Sequence, residues 1–230
     1  MIAALRRLVF AALCAGIVAG AVATAAHQLG TVPLILKAET YEQAAQPANR
    51  HEHGVAAEWE PEGWAERAIY TALADILAAT GFALLLTAGF SLHGGSIAWR
   101  DGLFWGLAGF ATFTIAPCLG LPPELLGSET APLLQRQLWW LATAASTGAG
   151  LALLAFTMHA RWALLAVLLL VLPHLYGAPQ AEGSAGDLAP AALAHQFVVA
   201  VTVISLLFWL SLGAAAGYFY QRFQPRGSAA

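Results

Sequence analysis

The chain has 230 residues, 59% of them hydrophobic and only 10% charged, with a mean hydropathy of +0.67 and a formal net charge of −3. Soluble domains carry roughly 25% charged residues, so an ordinary soluble enzyme is excluded, and the lack of a basic stripe excludes a nucleic-acid partner. The length suits one compact helical bundle, and residues 1–230 read as a single integral-membrane domain.

A bilayer-spanning helix needs about 20 mainly apolar residues. Six runs qualify in chain order: Leu8 to His27, Ala68 to Phe90, Gly102 to Leu119, Leu138 to Met158, Trp162 to Tyr176 and Gln196 to Tyr220. The expected fold is therefore an all-α, polytopic membrane bundle of about six transmembrane helices. The fifth run is short, and His159 and Arg161 separate it from the fourth, which predicts a tight helical hairpin. Arg6-Arg7, an apolar run and Ala23-Thr24-Ala25 also fit a cleaved signal peptide. In that case five spans remain; retention of the first span is the reading preferred here.

Arg6, Arg7, Arg100, Arg161, Arg222 and Arg226 fall on one side of these spans, which the positive-inside rule assigns to the cytoplasm. Both termini are then cytoplasmic. Eleven acids fall on the opposite side: Glu39, Glu42, Glu52, Glu58, Glu60, Glu62, Glu66, Glu124, Glu129, Glu182 and Asp187. The longest outer segment is residues 28–67. Within it, Pro33 to Gln46 predicts a short amphipathic helix, and Pro47 to Gly63 reads as a polar, turn-rich stretch.

The chemistry-bearing residues concentrate on that outer side. In His51-Glu52-His53, residues i and i+2 of an extended segment point the same way, so two imidazoles and a carboxylate could share one cation. Imidazole suits Zn, Cu, Fe and Ni, and affinities rise through Co toward Cu. Outer thiolate and thioether ligands are missing, which argues against Cu(I). Glu39 and Glu42 share a face if helical, with Lys37 as the nearby structural partner. His27, His174 and His195 sit at predicted outer ends of three spans. Glu124 follows Pro122-Pro123 and is expected to pair with Arg136 or line an entry site.

Asp75 lies about 10 Å into the second span at 1.5 Å per residue. An acid there is costly and is a functional candidate by default, as cation ligand or proton carrier; Thr71, one turn earlier, is its expected hydrogen-bond donor. Gly16/Gly20, Gly102/Gly106 and Gly213/Gly217 are spaced for close helix approach and read as packing devices. Cys14 and Cys118 read as small buried hydrophobes. P-loop, nucleophile-elbow and His-Glu-x-x-His motifs are missing.

The ordered blocks Pro33-Leu34-Ile35-Leu36-Lys37-Ala38-Glu39, His51-Glu52-His53, Gly102-Leu103-Phe104-Trp105-Gly106, Gly120-Leu121-Pro122-Pro123-Glu124, Arg136-Gln137-Leu138-Trp139-Trp140 and Pro173-His174-Leu175-Tyr176-Gly177 resemble the proposed cobalt transporter subunit family CbtA. The resemblance covers nearly the whole chain. It implies Co²⁺ uptake, a connection to cobalamin-controlled genes and a small one-span, His-bearing partner subunit, CbtB. Read together, the expected function is a non-enzymatic subunit of a divalent metal importer. In this scheme Glu39, Glu42, His51 and His53 capture the ion outside. His27, Glu124 and His174 receive it at the bundle mouth, and Asp75 lies on the path. The metal is cargo, with no permanently bound cofactor, and a homo-oligomer is compatible with the sequence. The alternatives are a metal-responsive scaffold without transport activity and a membrane enzyme.

Overall fold

The computed structural model describes residues 2–45, 63–157, 159–181 and 188–224. His51 and His53, with the polar stretch around them, lie outside the described residues. The described residues form helices α1 (Ile2–Leu29), α2 (Thr31–Ala45), α3 (Trp64–His93), α4 (Trp99–Phe110), a π turn (Ala111–Ile115), α5 (Ala116–Cys118), α6 (Leu133–Phe156), α7 (Ala160–Tyr176) and α8 (Ala191–Arg222), and no strand. The fold is all-α, as the apolar runs predict.

Among the described residues, four helices are long and apolar enough to cross a membrane: Ala4–Leu29, Trp64–His93, Leu133–Phe156 and Ala191–Arg222. The expected count of about six meets two departures. α7 is a shorter apolar helix of 17 residues, about 25 Å long at 1.5 Å per residue. The third expected span is not one regular helix: α4, the π turn and α5 follow one another without a gap.

Pro117 accounts for that break. In the π turn, the Ala116 N–H donates to the Ala111 carbonyl, five residues back. The next donor in that register would be residue 117, and proline has no N–H. The Thr112 carbonyl thus lacks both its α-type donor, Ala116, which is engaged one residue earlier, and its π-type donor.

Local signals set the other ends. Gly94 adopts φ 78° and closes α3 by donating its N–H to the Phe90 carbonyl at 3.2 Å, the left-handed stop that glycine takes without a Cβ penalty. Asp101 sits three residues after the α4 cap, and its Oδ2 accepts the Ala98 N–H at 2.9 Å, one half of a capping box. α6 ends at Phe156, and extended Thr157 and His159 lead into α7, giving the expected hairpin. α2 begins two residues earlier than the sequence reading, directly after α1. Much of segment 28–67 is therefore helical.

The chain divides into two compact units, Met1–Leu107 with Ile204–Ala230, and Ala108–Val203. In the first, α1 packs along α3. A Cβ on Gly16 would collide with the backbone of Thr80, and one on Gly20 with that of Ile76. The same holds where α4 crosses α8: Gly102 meets Gly213, and Gly106 meets Trp209 and Gly213. All three glycine pairs act as the packing devices their spacing predicts. Buried Phe90 stands edge-on to Trp105 at 5.3 Å and to Tyr220 at 5.5 Å, joining α3, α4 and α8.

In the second unit α6 packs on α7. The buried face of α6 is Trp139, Thr143, Ala144, Thr147 and Gly150. Trp139 Nε1 donates to the Pro173 carbonyl at 3.3 Å. Gly150 approaches the Ala166 carbonyl and the Leu170 side chain.

Candidate functional site

The glycine contacts of α1 and α3 decide what meets at the end of that pair. Gly16, Gly20, Thr24, His27 and Thr31 succeed one another at intervals of three or four residues, so they share one stripe. With Gly20 against Ile76, Thr24 and His27 fall beside Asp75 of α3.

Thr24 Oγ1 lies 2.8 Å from Asp75 Oδ2 and 2.9 Å from the Gly20 carbonyl. A hydroxyl has one proton. With Asp75 ionised, its carboxylate and the Gly20 carbonyl compete for that proton. With Asp75 protonated, the acid donates to Thr24, Thr24 donates to Gly20, and both contacts are complete. The expected donor, Thr71, is a correction: its hydroxyl returns to the Arg67 carbonyl at 2.8 Å. Back-bonding within the helix takes the nearer acceptor, and the donor to Asp75 comes from α1 instead.

His27 Nδ1 is 2.8 Å from Thr31 Oγ1, whose other neighbour is the His27 carbonyl at 3.4 Å. When Thr31 directs its proton to that carbonyl, Nδ1 carries the ring proton and Nε2 presents a lone pair. Nε2 faces Asp75 Oδ1 at 3.8 Å. That is too long for a hydrogen bond. It falls within the range a bridging ion spans: metal–nitrogen and metal–oxygen bonds of about 2.0–2.2 Å hold the two atoms roughly 3–4 Å apart, depending on the angle at the metal. The side chains are 31% and 18% exposed, so the pair is partly open.

The other candidate residues have structural neighbours. Glu39 Oε1 accepts from Arg67 at 2.8 Å, tying α2 to α3; this replaces the expected partner Lys37, whose carbonyl accepts the Thr40 hydroxyl. Glu42 is on the same helix, half-buried. In the second unit, Glu124 Oε2 pairs with Arg136 at 2.6 Å, the structural alternative of the two weighed for it. The His174 ring stands edge-on to Trp139 at 6.0 Å, and His195 is exposed. Among the described residues no group of three or more His, Cys, Asp and Glu side chains could hold a metal ion. His27 and Asp75 are thus a pair of candidate residues brought together, with Thr31 and Thr24 beside them.

A groove of about 980 Å³ runs beside α6 and α7, lined by Gln135, Trp139, Ser146, Pro173, Tyr176 and Ala178 among others. Its walls are mostly apolar, and none of the candidate ligands lines it. Thr24 and Thr31 are the residues that sequence reasoning missed. The signal for Thr24 was available, because it continues the Gly16/Gly20 stripe toward the polar end of α1, whereas Thr31 lies past that helix, at the start of α2.

The chain matches no curated protein and no solved structure. One family matches over residues 5–221. That match covers the apolar helices, the Asp75 region and both ends of the bundle, and by it this membrane protein belongs to the family described as probable cobalt transporter subunit (CbtA).

Proposed function

We propose that the chain is the membrane-embedded subunit of a divalent metal importer, with Co²⁺ as cargo and the His27–Asp75 pair as a station on the path. The observation that carries this reading is the 3.8 Å separation of His27 Nε2 and Asp75 Oδ1, one imidazole nitrogen and one carboxylate oxygen brought together from α1 and α3. A nitrogen and an oxygen suit a first-row divalent ion. Two protein ligands bind weakly enough for release, which conduction requires. Thr24 Oγ1, within hydrogen-bond distance of both Asp75 Oδ2 and the Gly20 carbonyl, fixes the position of the carboxyl group beside His27.

In this scheme the termini are cytoplasmic, the membrane is the bacterial inner membrane, and the outer residues Glu39, Glu42, His51 and His53 collect the ion. The family description names a subunit, which fits a small CbtB-like partner. Ligand loss separates this reading from a non-transporting scaffold.

The test is radiocobalt uptake by cells expressing the chain with its partner, beside Asp75→Asn and His27→Ala variants matched for membrane abundance. Uptake that requires the chain and falls about tenfold in each variant, a barrier change of about 1.4 kcal/mol, is the expected result. Wild-type uptake no greater than in cells lacking the chain, with the protein present in the membrane, removes the transport reading. Uptake that is unaltered by both substitutions removes His27 and Asp75 from the path.

A further inference from the structure

Thr143 and Thr147 differ from most of the other threonines of the long helices. The hydroxyls of Thr24, Thr71, Thr87 and Thr202 each return to a carbonyl three or four residues earlier, as does that of Thr157 at the end of α6. Those of Thr143 and Thr147 do not. Both residues are buried, at 0% and 3% exposure, and neither oxygen has a hydrogen-bond partner. Threonine in a helix divides between two rotamers, one of which back-bonds. Here both hydroxyls are withheld from their own ladder, and a buried hydroxyl left without a partner is strongly disfavoured.

Their surroundings supply the complement. Pro173 has no N–H, so the Leu169 carbonyl, one turn earlier in α7, has no α-helical donor. Pro173 is buried against α6, where Trp139 donates to it. Gly150 touches Ala166 and Leu170. Thr143 and Thr147 lie between these two contacts on the same face of α6, opposite the α7 segment that contains Leu169. The second donor-free carbonyl is that of Thr112 in the π turn. This turn packs on α6, and a Cβ on Gly148 would stand 3.4 Å from Thr112 Cγ2.

We propose that Thr143 and Thr147 bind one buried water molecule, donating to its oxygen, and that this water donates in turn to the carbonyls of Leu169 and Thr112. Two hydroxyl protons and two open carbonyls are what a single water satisfies, because it accepts two hydrogen bonds and donates two. A cation is a poorer match. It draws on the oxygens but leaves both hydroxyl protons facing apolar walls, and no Asp or Glu occurs in α6, α7 or the π turn to balance its charge. The water bridges the two places where proline interrupts a helix ladder.

The sign of one substitution tests this. Thr143→Val/Thr147→Val keeps the shape and removes both hydroxyls. If the hydroxyls simply lack partners, valine raises the thermal midpoint of the full chain purified in detergent. If they hold a water, valine strands two carbonyls, and the midpoint falls by roughly 2–8 °C. Thr143→Ser/Thr147→Ser retains both oxygens and is expected within about 2 °C of the parent. Should the double valine variant fail to accumulate, Thr143→Val alone carries the same sign test. An unchanged or raised midpoint in the valine variants overturns the proposal. So does a parent midpoint that rises in NaCl or KCl but not in choline chloride, with the rise lost in the valine variant, because that identifies a cation instead.

Discussion

The α1–α3 pair and the α6–α7 pair solve the same problem differently. Both bury polar side chains on helices long or apolar enough to sit in a membrane. Between α1 and α3, glycines bring the backbones together, and the polar groups meet across the gap: Thr24 and His27 both face Asp75. Between α6 and α7, an indole reaches a carbonyl, and two threonine hydroxyls in the same interface have no protein partner. Burial alone therefore does not mark a site. What distinguishes the first pair is ionisable chemistry held at a distance that suits an ion; what distinguishes the second is neutral oxygen chemistry beside broken helix ladders.

Substitutions can break or sharpen this comparison. The largest effect is expected from Gly20→Leu, whose side chain would enter the Ile76 backbone. Overpacking of this kind costs typically 1–3 kcal/mol and more where backbone is the obstacle, so the folded, monodisperse protein should be lost on size-exclusion chromatography. Gly81→Leu is the control: a Cβ there meets nothing within 4 Å, and normal elution is expected. Next comes Asp75→Asn, expected to remove about nine-tenths of uptake while leaving the α1–α3 pair assembled, because Asn still hydrogen-bonds Thr24. A collapse in protein abundance instead would give Asp75 a structural role and bring the two helix pairs closer in character.

Smaller effects are expected in the second pair. Trp139→Phe keeps an aromatic ring but removes the donor to Pro173, which should cost about 0.5–1.5 kcal/mol, read as a lower thermal midpoint with uptake retained. Glu124→Gln should do least. Its Oε2 accepts from Arg136 with each side chain about a quarter exposed, and the glutamine amide oxygen can still accept that hydrogen bond. A large uptake defect in Glu124→Gln, at normal stability, would move Glu124 from support to path.

Much of the fold was legible because apolar run length is a direct consequence of bilayer thickness. The hairpin at His159, the helix after Pro33 and the glycine contacts all follow from local composition. Pairings across helices were legible only in part. Thr71 and Lys37 were plausible neighbours of Asp75 and Glu39 along the sequence, yet Thr24 and Arg67 are the partners in space. Sequence proximity identifies what a side chain could reach on its own helix, whereas helix packing determines what reaches it from another. The π turn was half visible: Pro117 announces a missing donor, but the one-residue shift in register it accompanies depends on how the neighbouring turns settle.

The single stripe of α1 limits how the His27–Asp75 gap can change. Glycine and ligand positions are rigidly geared: a turn of α1 about its own axis that swings His27 away from Asp75 also rotates Gly16 and Gly20 out of contact and drives bulkier neighbours into α3. Successive residues are about 100° apart around the helix, so even one residue of rotation replaces the whole glycine edge. Twisting is therefore the forbidden coordinate. The remaining freedom is a splaying of the Thr24–Thr31 end about the glycine contact as a fulcrum. That motion changes the nitrogen–oxygen distance while the helix surfaces stay matched, so the jaw opens at its tip and stays shut at its hinge.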